Sequence, residues 1–95
     1  MITAIVMIKA ATDSIPEVAE ALADIDGVSE VYSVAGTFDL IAIVRVKHYD
    51  EVADVIAGRL SKVRGVTGTE THIAFRAYSR HDLESAFAIG FDESE

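Results

Sequence analysis

Two short segments hold the residues of this chain best suited to binding chemistry. Val34-Ala35-Gly36-Thr37-Phe38-Asp39-Leu40-Ile41 places a Gly-x-x-Asp turn between two apolar, strand-like runs. Glycine reaches backbone angles closed to its neighbours, and Asp39 offers a carboxylate to turn amides or to a bound molecule. Thr69-Glu70-Thr71 supplies two hydroxyls on one side of a strand and a carboxylate on the other. Each also has a plain structural explanation. Asp39 would cap its own turn, Phe38 would anchor packing, and threonine suits any strand.

The other candidates for chemistry do not assemble. His48, His72 and His81 never stand at the i, i+4 spacing of zinc enzymes, and solvated or edge-of-sheet imidazoles explain them. Ser33, His72 and Asp39 compose a Ser-His-Asp set on paper, without a nucleophile elbow or an oxyanion-type glycine run. Asp24/Asp26 and Asp50/Glu51 lie at expected helix ends, where capping and solvation account for them. The chain has no cysteine, which excludes disulfides, thiolate catalysis and zinc-finger chemistry. Walker-type and dinucleotide-type glycine loops are also missing. The reading is of a protein that is not an enzyme, with no metal site and no cofactor.

Composition narrows the partners. The net charge is -8, from 16 acidic and 8 basic side chains, and the basic residues are scattered. Nucleic-acid affinity rests on Lys and Arg displacing counterions, so direct nucleic-acid binding is not expected. No apolar run approaches the roughly 20 residues that span a bilayer. The apolar start, Met1 to Ile8, lacks a basic leader and a small-residue cleavage site, and Lys9 interrupts it. A cytoplasmic protein with no membrane association is expected.

These residues must be positioned by a small set of elements. Residues 2 to 9 read as a first strand. Ser14-Ile15-Pro16-Glu17 reads as a capping box with Ser14 as N-cap, opening a helix with an Ile15, Val18, Ala19, Leu22 stripe and Gly27 as its C-terminal cap. Residues 28 to 35 and 39 to 46 read as a hairpin around the Gly-x-x-Asp turn. A second helix opens at Tyr49-Asp50-Glu51, carries Val52, Val55, Ile56 and Leu60, and ends near Arg59, Lys62 and Arg64 before Gly65. Residues 66 to 78 read as the fourth strand. Gly27-Val28 and Gly65-Val66 echo each other, each opening a strand. The order βαββαβ predicts an α+β, ferredoxin-like sandwich. Ser79-Arg80-His81-Asp82 predicts a further short helix through Leu83, Ala86 and Phe87, before an acidic tail, Asp92 to Glu95, expected to be disordered. The expected division is a ligand-binding domain over 1 to 78, a helical extension over 79 to 91 and the tail over 92 to 95.

Strand parity carries a further consequence. Ile2, Ala4, Val6 and Ile8 oppose Ile5 and Met7; Leu40, Ala42, Val44 and Val46 oppose Ile41 and Ile43; Ile73, Phe75 and Ala77 oppose Ala74 and Tyr78. Two helices cover one face of a four-stranded sheet, and the other face is too apolar to stay wet. A dimer formed face to face through the sheets is expected, assembling further into a higher oligomer, with the short C-terminal helix as the alternative cover for part of that face.

At these residues the chain resembles a known family. Gly27-Val28, Val31-Tyr32, Gly36-Thr37-Phe38-Asp39-Leu40, Gly65-Val66 and Thr69-Glu70-Thr71, in that order, resemble the effector-binding (RAM) domain of the Lrp/AsnC transcriptional regulators over roughly residues 2 to 78. The resemblance implies a βαββαβ fold, sheet-paired dimers assembled into rings, and an amino acid or similar small metabolite bound between dimers. Carried over, Gly36, Thr37, Phe38 and Asp39 would meet the ligand through amides and the Asp39 carboxylate, and Thr69 and Thr71 would add hydroxyls. Full-length members carry an N-terminal helix-turn-helix domain, whereas here the first strand begins at Ile2. The expected protein is therefore a stand-alone module that modulates transcription through partner proteins, among them a full-length family regulator. Two alternatives stay open: an assembly protein with a vestigial pocket, and a small dimeric ferredoxin-like enzyme. Such enzymes use a His, Asn or Trp in a deep pocket. This chain has no Asn or Trp, and His72 is its only histidine on an expected strand.

Overall fold

The computed structural model describes residues 1–80. The chain runs β1 (Ile2–Ala10), α1 (Ile15–Ala23), β2 (Val28–Ser33), β3 (Leu40–Val46), α2 (Tyr49–Ile56) and β4 (Val66–Ala74), with short 3-10 turns at Thr12–Ser14 and Leu60–Lys62. The four strands form one antiparallel sheet in the order β2-β3-β1-β4. This is the ferredoxin-like βαββαβ sandwich expected from periodicity.

The core forms where strand alternation meets helical stripes. Ala4, Val6 and Ile8 of β1 and Leu40, Ala42 and Val44 of β3 are fully buried under the helices. Val18 and Leu22 of α1, and Val52 and Val55 of α2, close that side. Seven of the largest core side chains, Ile8, Leu22, Leu40, Leu60, Val6, Val18 and Val44, are shielded almost completely. Burying each contributes about 1.5–3 kcal/mol.

The opposite face reads off the register. Ile5 pairs with Ile43 and His72, and Ile43 with Glu30. Met7 pairs with Ile41 and Glu70, and Ile41 with Tyr32. Directly opposed residues share a face. Two rows therefore cross the open face, Glu30–Ile43–Ile5–His72 and Tyr32–Ile41–Met7–Glu70. Their centre is a square of four apolar, half-buried side chains, and their ends are polar.

Several local expectations are corrected. Ser14 precedes α1 but makes no capping bond to it; its hydroxyl instead donates to Asp13 Oδ1 at 3.1 Å. The preceding 3-10 turn leaves Ser14 at ψ 12°, away from the extended geometry that capping needs. Gly27 does adopt a positive φ of 98°, but α1 has already ended at Ala23, so Gly27 serves the turn into β2. α2 stops at Ile56, shortly before Gly58, so Arg59, Lys62 and Arg64 fall beyond its last turn. Leu60 still reaches the core from the 3-10 turn that follows. β4 ends at Ala74 because its partner β1 begins at Ile2, and Phe75 (89% exposed) and Tyr78 (74%) project beyond it. Of the helix expected from Ser79 onward only Ser79 and Arg80 fall within the described residues; the rest of it and the acidic tail lie outside them.

Candidate ligand-binding site

The Gly-x-x-Asp turn is built from backbone bonds at both of its ends. The Val34 amide donates to the Asp39 carbonyl at 3.0 Å, closing the hairpin around Ala35, Gly36, Thr37 and Phe38. Gly36 sits at φ 137°, a region that L side chains rarely enter, which explains glycine there. Gly36 and Thr37 are exposed, while Phe38 and Asp39 are half-buried. Among the described residues, the amides of Ala35, Gly36, Thr37 and Phe38 find no acceptor. A run of free amides in a turn is suited to an anion.

Asp39 faces the end of β1. Its amide donates to the Ile8 carbonyl at 2.9 Å, and its Oδ2 accepts the Ala10 amide at 2.9 Å. The next amide, Ala11, donates to the Gly65 carbonyl at 2.8 Å, just before β4 starts. Gly65 has φ 101°, and a Cβ there would stand 2.6 Å from Val18 Cγ2. The Ala10–Ala11 corner thus joins the Asp39 turn on one side to the entrance of β4 on the other. Neither alanine carries a sequence signal for this, because the groups at work are backbone amides.

Thr69 lies opposite Ile8 and Thr71 opposite Val6, so both face the helical side of the sheet. They remain exposed because β4 is an edge strand, and α1 and α2 pack over β2 and β3. Thr69 and the Asp39 turn occupy the same end of the sheet, with β1 between them. At about 5 Å per strand, β3 and β4 stand about 10 Å apart. A single chain therefore presents the two expected half-sites on an open surface.

A cleft of about 450 Å³ lies at the other end, between Met1, Gly27, Arg45, Lys47, Asp54 and Arg59 among others. None of the six expected ligand residues lines it. Two of its cations are already engaged: Arg45 pairs with Glu30 at 3.3 Å, and Arg59 Nη1 donates to the Asp26 carbonyl at 3.5 Å. The turn, with its free amides, is the better candidate. Among the described residues no group of His, Asp and Glu is arranged to hold a metal, and no helix is long and apolar enough to cross a membrane.

The open face has its own polar pairs at its two rims. The Tyr32 hydroxyl donates to Glu30 Oε2 at 2.7 Å, and Arg45 Nη1 donates to Glu30 Oε1 at 3.3 Å. Tyr32 first, and Arg45 second, hold the Glu30 carboxyl below the usual carboxylate range, and Glu30 pushes the Tyr32 phenol up. On the far rim His72 Nε2 lies 2.7 Å from Glu70 Oε2. The spacing of Glu30 and Tyr32, two apart on one strand, was the available sequence signal for the first cluster.

Comparison with known proteins now decides the family. A family model, the Lrp/AsnC ligand binding domain, matches residues 3–83. This chain belongs to the Lrp/AsnC family. A Thermus thermophilus protein, TTHA0845, is 45% identical, with a TM-score of 0.78 over 84% of this chain and 100% of its own. An HTH-type transcriptional regulator of Pyrococcus furiosus is 40% identical over 76 residues, covering 77% of this chain and 51% of the regulator. The Lrp/AsnC domain described here thus spans about half the length of that curated relative. A feast or famine regulatory protein from M. tuberculosis, solved in complex with L-methionine, is 27% identical at a TM-score of 0.69, over 84% of this chain and 54% of the regulator.

Proposed function

We infer that this Lrp/AsnC domain is a non-enzymatic, oligomeric sensor of a small amino acid or a closely related metabolite, held between subunits. The observation that carries the reading is the turn itself: four amides without an acceptor among the described residues and a carboxylate, beside an exposed strand bearing Thr69 and Thr71. An amino-acid zwitterion matches this set. Amides of Gly36, Thr37 and Phe38, with the Thr69 and Thr71 hydroxyls, suit its carboxylate, and the remaining oxygen of Asp39 suits its ammonium. Among the described residues the half-sites stand about 10 Å apart with β1 between them, and on this reading a neighbouring subunit completes the pocket. The L-methionine bound to the M. tuberculosis relative supports this ligand class.

Self-association would use the open face. A two-fold axis between facing sheets, perpendicular to the strands, lays the Ile43–Ile5 row of one copy over its partner's Ile41–Met7 row. It also sets His72 over the partner's Glu70. Apolar meets apolar and acid meets imidazole, so the face is self-complementary. The same face would admit a full-length family regulator, through which the domain modulates transcription without touching nucleic acid.

Thermal-shift screening of the twenty amino acids tests the sensor reading. A ligand present at about 100 times its Kd adds about 2.7 kcal/mol of stability and raises Tm accordingly. Failure of every amino acid and related metabolite to raise Tm rejects the reading.

A further inference from the structure

Asp39 is engaged within the chain itself. Its Oδ2 holds the Ala10 amide in a half-buried bond of 2.9 Å spanning 29 residues of chain. The adjacent amide, Ala11, holds Gly65 at the entrance of β4. Gly65 is itself confined by its φ of 101° and by the Val18 methyl where a Cβ would go. The two half-sites are therefore not independent. The hairpin turn is tied to Ala10, and the strand that carries Thr69 and Thr71 is tied to Ala11.

We propose that Asp39 is a positioning residue: its carboxylate clasps the Ala10 amide and, through the Ala10–Ala11 corner, fixes the hairpin turn relative to the β4 threonines. The proposal rests on the sensor reading for its functional meaning, but the clasp itself is made between two groups of one chain. A charge-assisted bond suits this task, since it is short and stronger than a neutral one. Oδ2 is committed to the Ala10 amide, and the sensor reading assigns Oδ1 to the ligand, so one side chain would carry two separable duties.

The test compares the full chain with Asp39→Ala and Asp39→Asn. Hydrogen exchange at the Ala10 and Ala11 amides is measured without ligand, and calorimetry with L-methionine and the other amino acids is measured alongside. Asp39→Ala should accelerate exchange at Ala10 by about tenfold or more, with a smaller increase at Ala11. Asp39→Asn keeps an acceptor oxygen but not its charge, and should restore most of the protection at both amides, a rescue that a purely long-range effect of the Asp39 charge would not give. Unchanged Ala10 exchange in Asp39→Ala, or no rescue in Asp39→Asn, overturns the proposal. Calorimetry separates the underlying reading. Restored protection with lost amino-acid binding in Asp39→Asn supports both duties. Restored protection while no amino acid binds even the wild-type chain leaves the clasp standing and defeats the sensor.

Discussion

Ile43→Asp on the open face tests the proposed dimer most severely. Ile43 pairs directly with Ile5, at the heart of the apolar square with Met7 and Ile41. It is half-buried in the single chain, so dimerisation buries only the remainder. Half of a full isoleucine burial is about 1 kcal/mol. An uncompensated carboxylate in a closed interface costs about 3–5 kcal/mol more. The symmetry counts each change twice, so the dimer loses about 8 kcal/mol or more, equal to the whole binding energy of a micromolar complex. The fold itself should survive, because the core lies on the other side of the sheet, around Val6, Ala42 and Leu22. Sedimentation velocity at about 10 μM, with circular dichroism for folding, reads both quantities; Kd values near this concentration are resolved directly. Ala21→Asp, on the exposed side of α1, is the matched control and should leave the mass unchanged. A natively folded Ile43→Asp chain with the wild-type mass refutes the reasoning, and so does a wild-type chain that sediments as a monomer.

Other outcomes follow from single positions. Gly65→Ala combines a disfavoured φ of 101° with a clash at Val18, whereas Gly36→Ala at φ 137° meets open space. Urea unfolding at fixed protomer concentration should show a loss of about 2–5 kcal/mol for the first and about 1–3 kcal/mol for the second. Leu22→Ala removes a fully buried side chain and should cost about 2–5 kcal/mol in the same assay. Tyr32→Phe removes the largest influence on Glu30, so the Glu30 carboxyl should titrate closer to its ordinary value of 4.5 in a carbon-detected NMR titration. The lowered folded value means that this pair's contribution is present above the unfolded pKa and fades as pH falls through the folded one. The raised Tyr32 phenol gives the opposite dependence at the alkaline end, where its contribution fades as pH rises through the folded value.

Much of this fold was legible in the residues because its strands alternate cleanly. Ala4, Val6 and Ile8 against Ile5 and Met7 gave both faces of β1, and Leu40, Ala42 and Val44 against Ile41 and Ile43 gave both faces of β3. The turn was legible as chemistry, since glycine and aspartate at that spacing announce free amides and a carboxylate. What escaped was set by partners rather than by local preference. β4 had apolar alternation to Tyr78 but ran out of β1 at Ile2. α2 had an apolar stripe to Leu60 but unwound after Ile56, before Gly58. Asp39 looked like either a cap of its own turn or a ligand contact, and its oxygen went to Ala10, a residue whose side chain says nothing. The separation of the two half-sites by β1 follows from strand order, which periodicity does not encode.

The central claim, that the turn and the β4 threonines form the ligand site, is tested most directly by amide chemical-shift mapping. The isotope-labelled chain is titrated with whichever amino acid raises its Tm. Saturable shifts centred on Gly36, Thr37, Phe38, Asp39, Thr69 and Thr71 are predicted, with Ala10 and Ala11 following. Shifts centred instead on the distant cleft at Gly27, Arg45 and Arg59, with the turn unmoved, would contradict it.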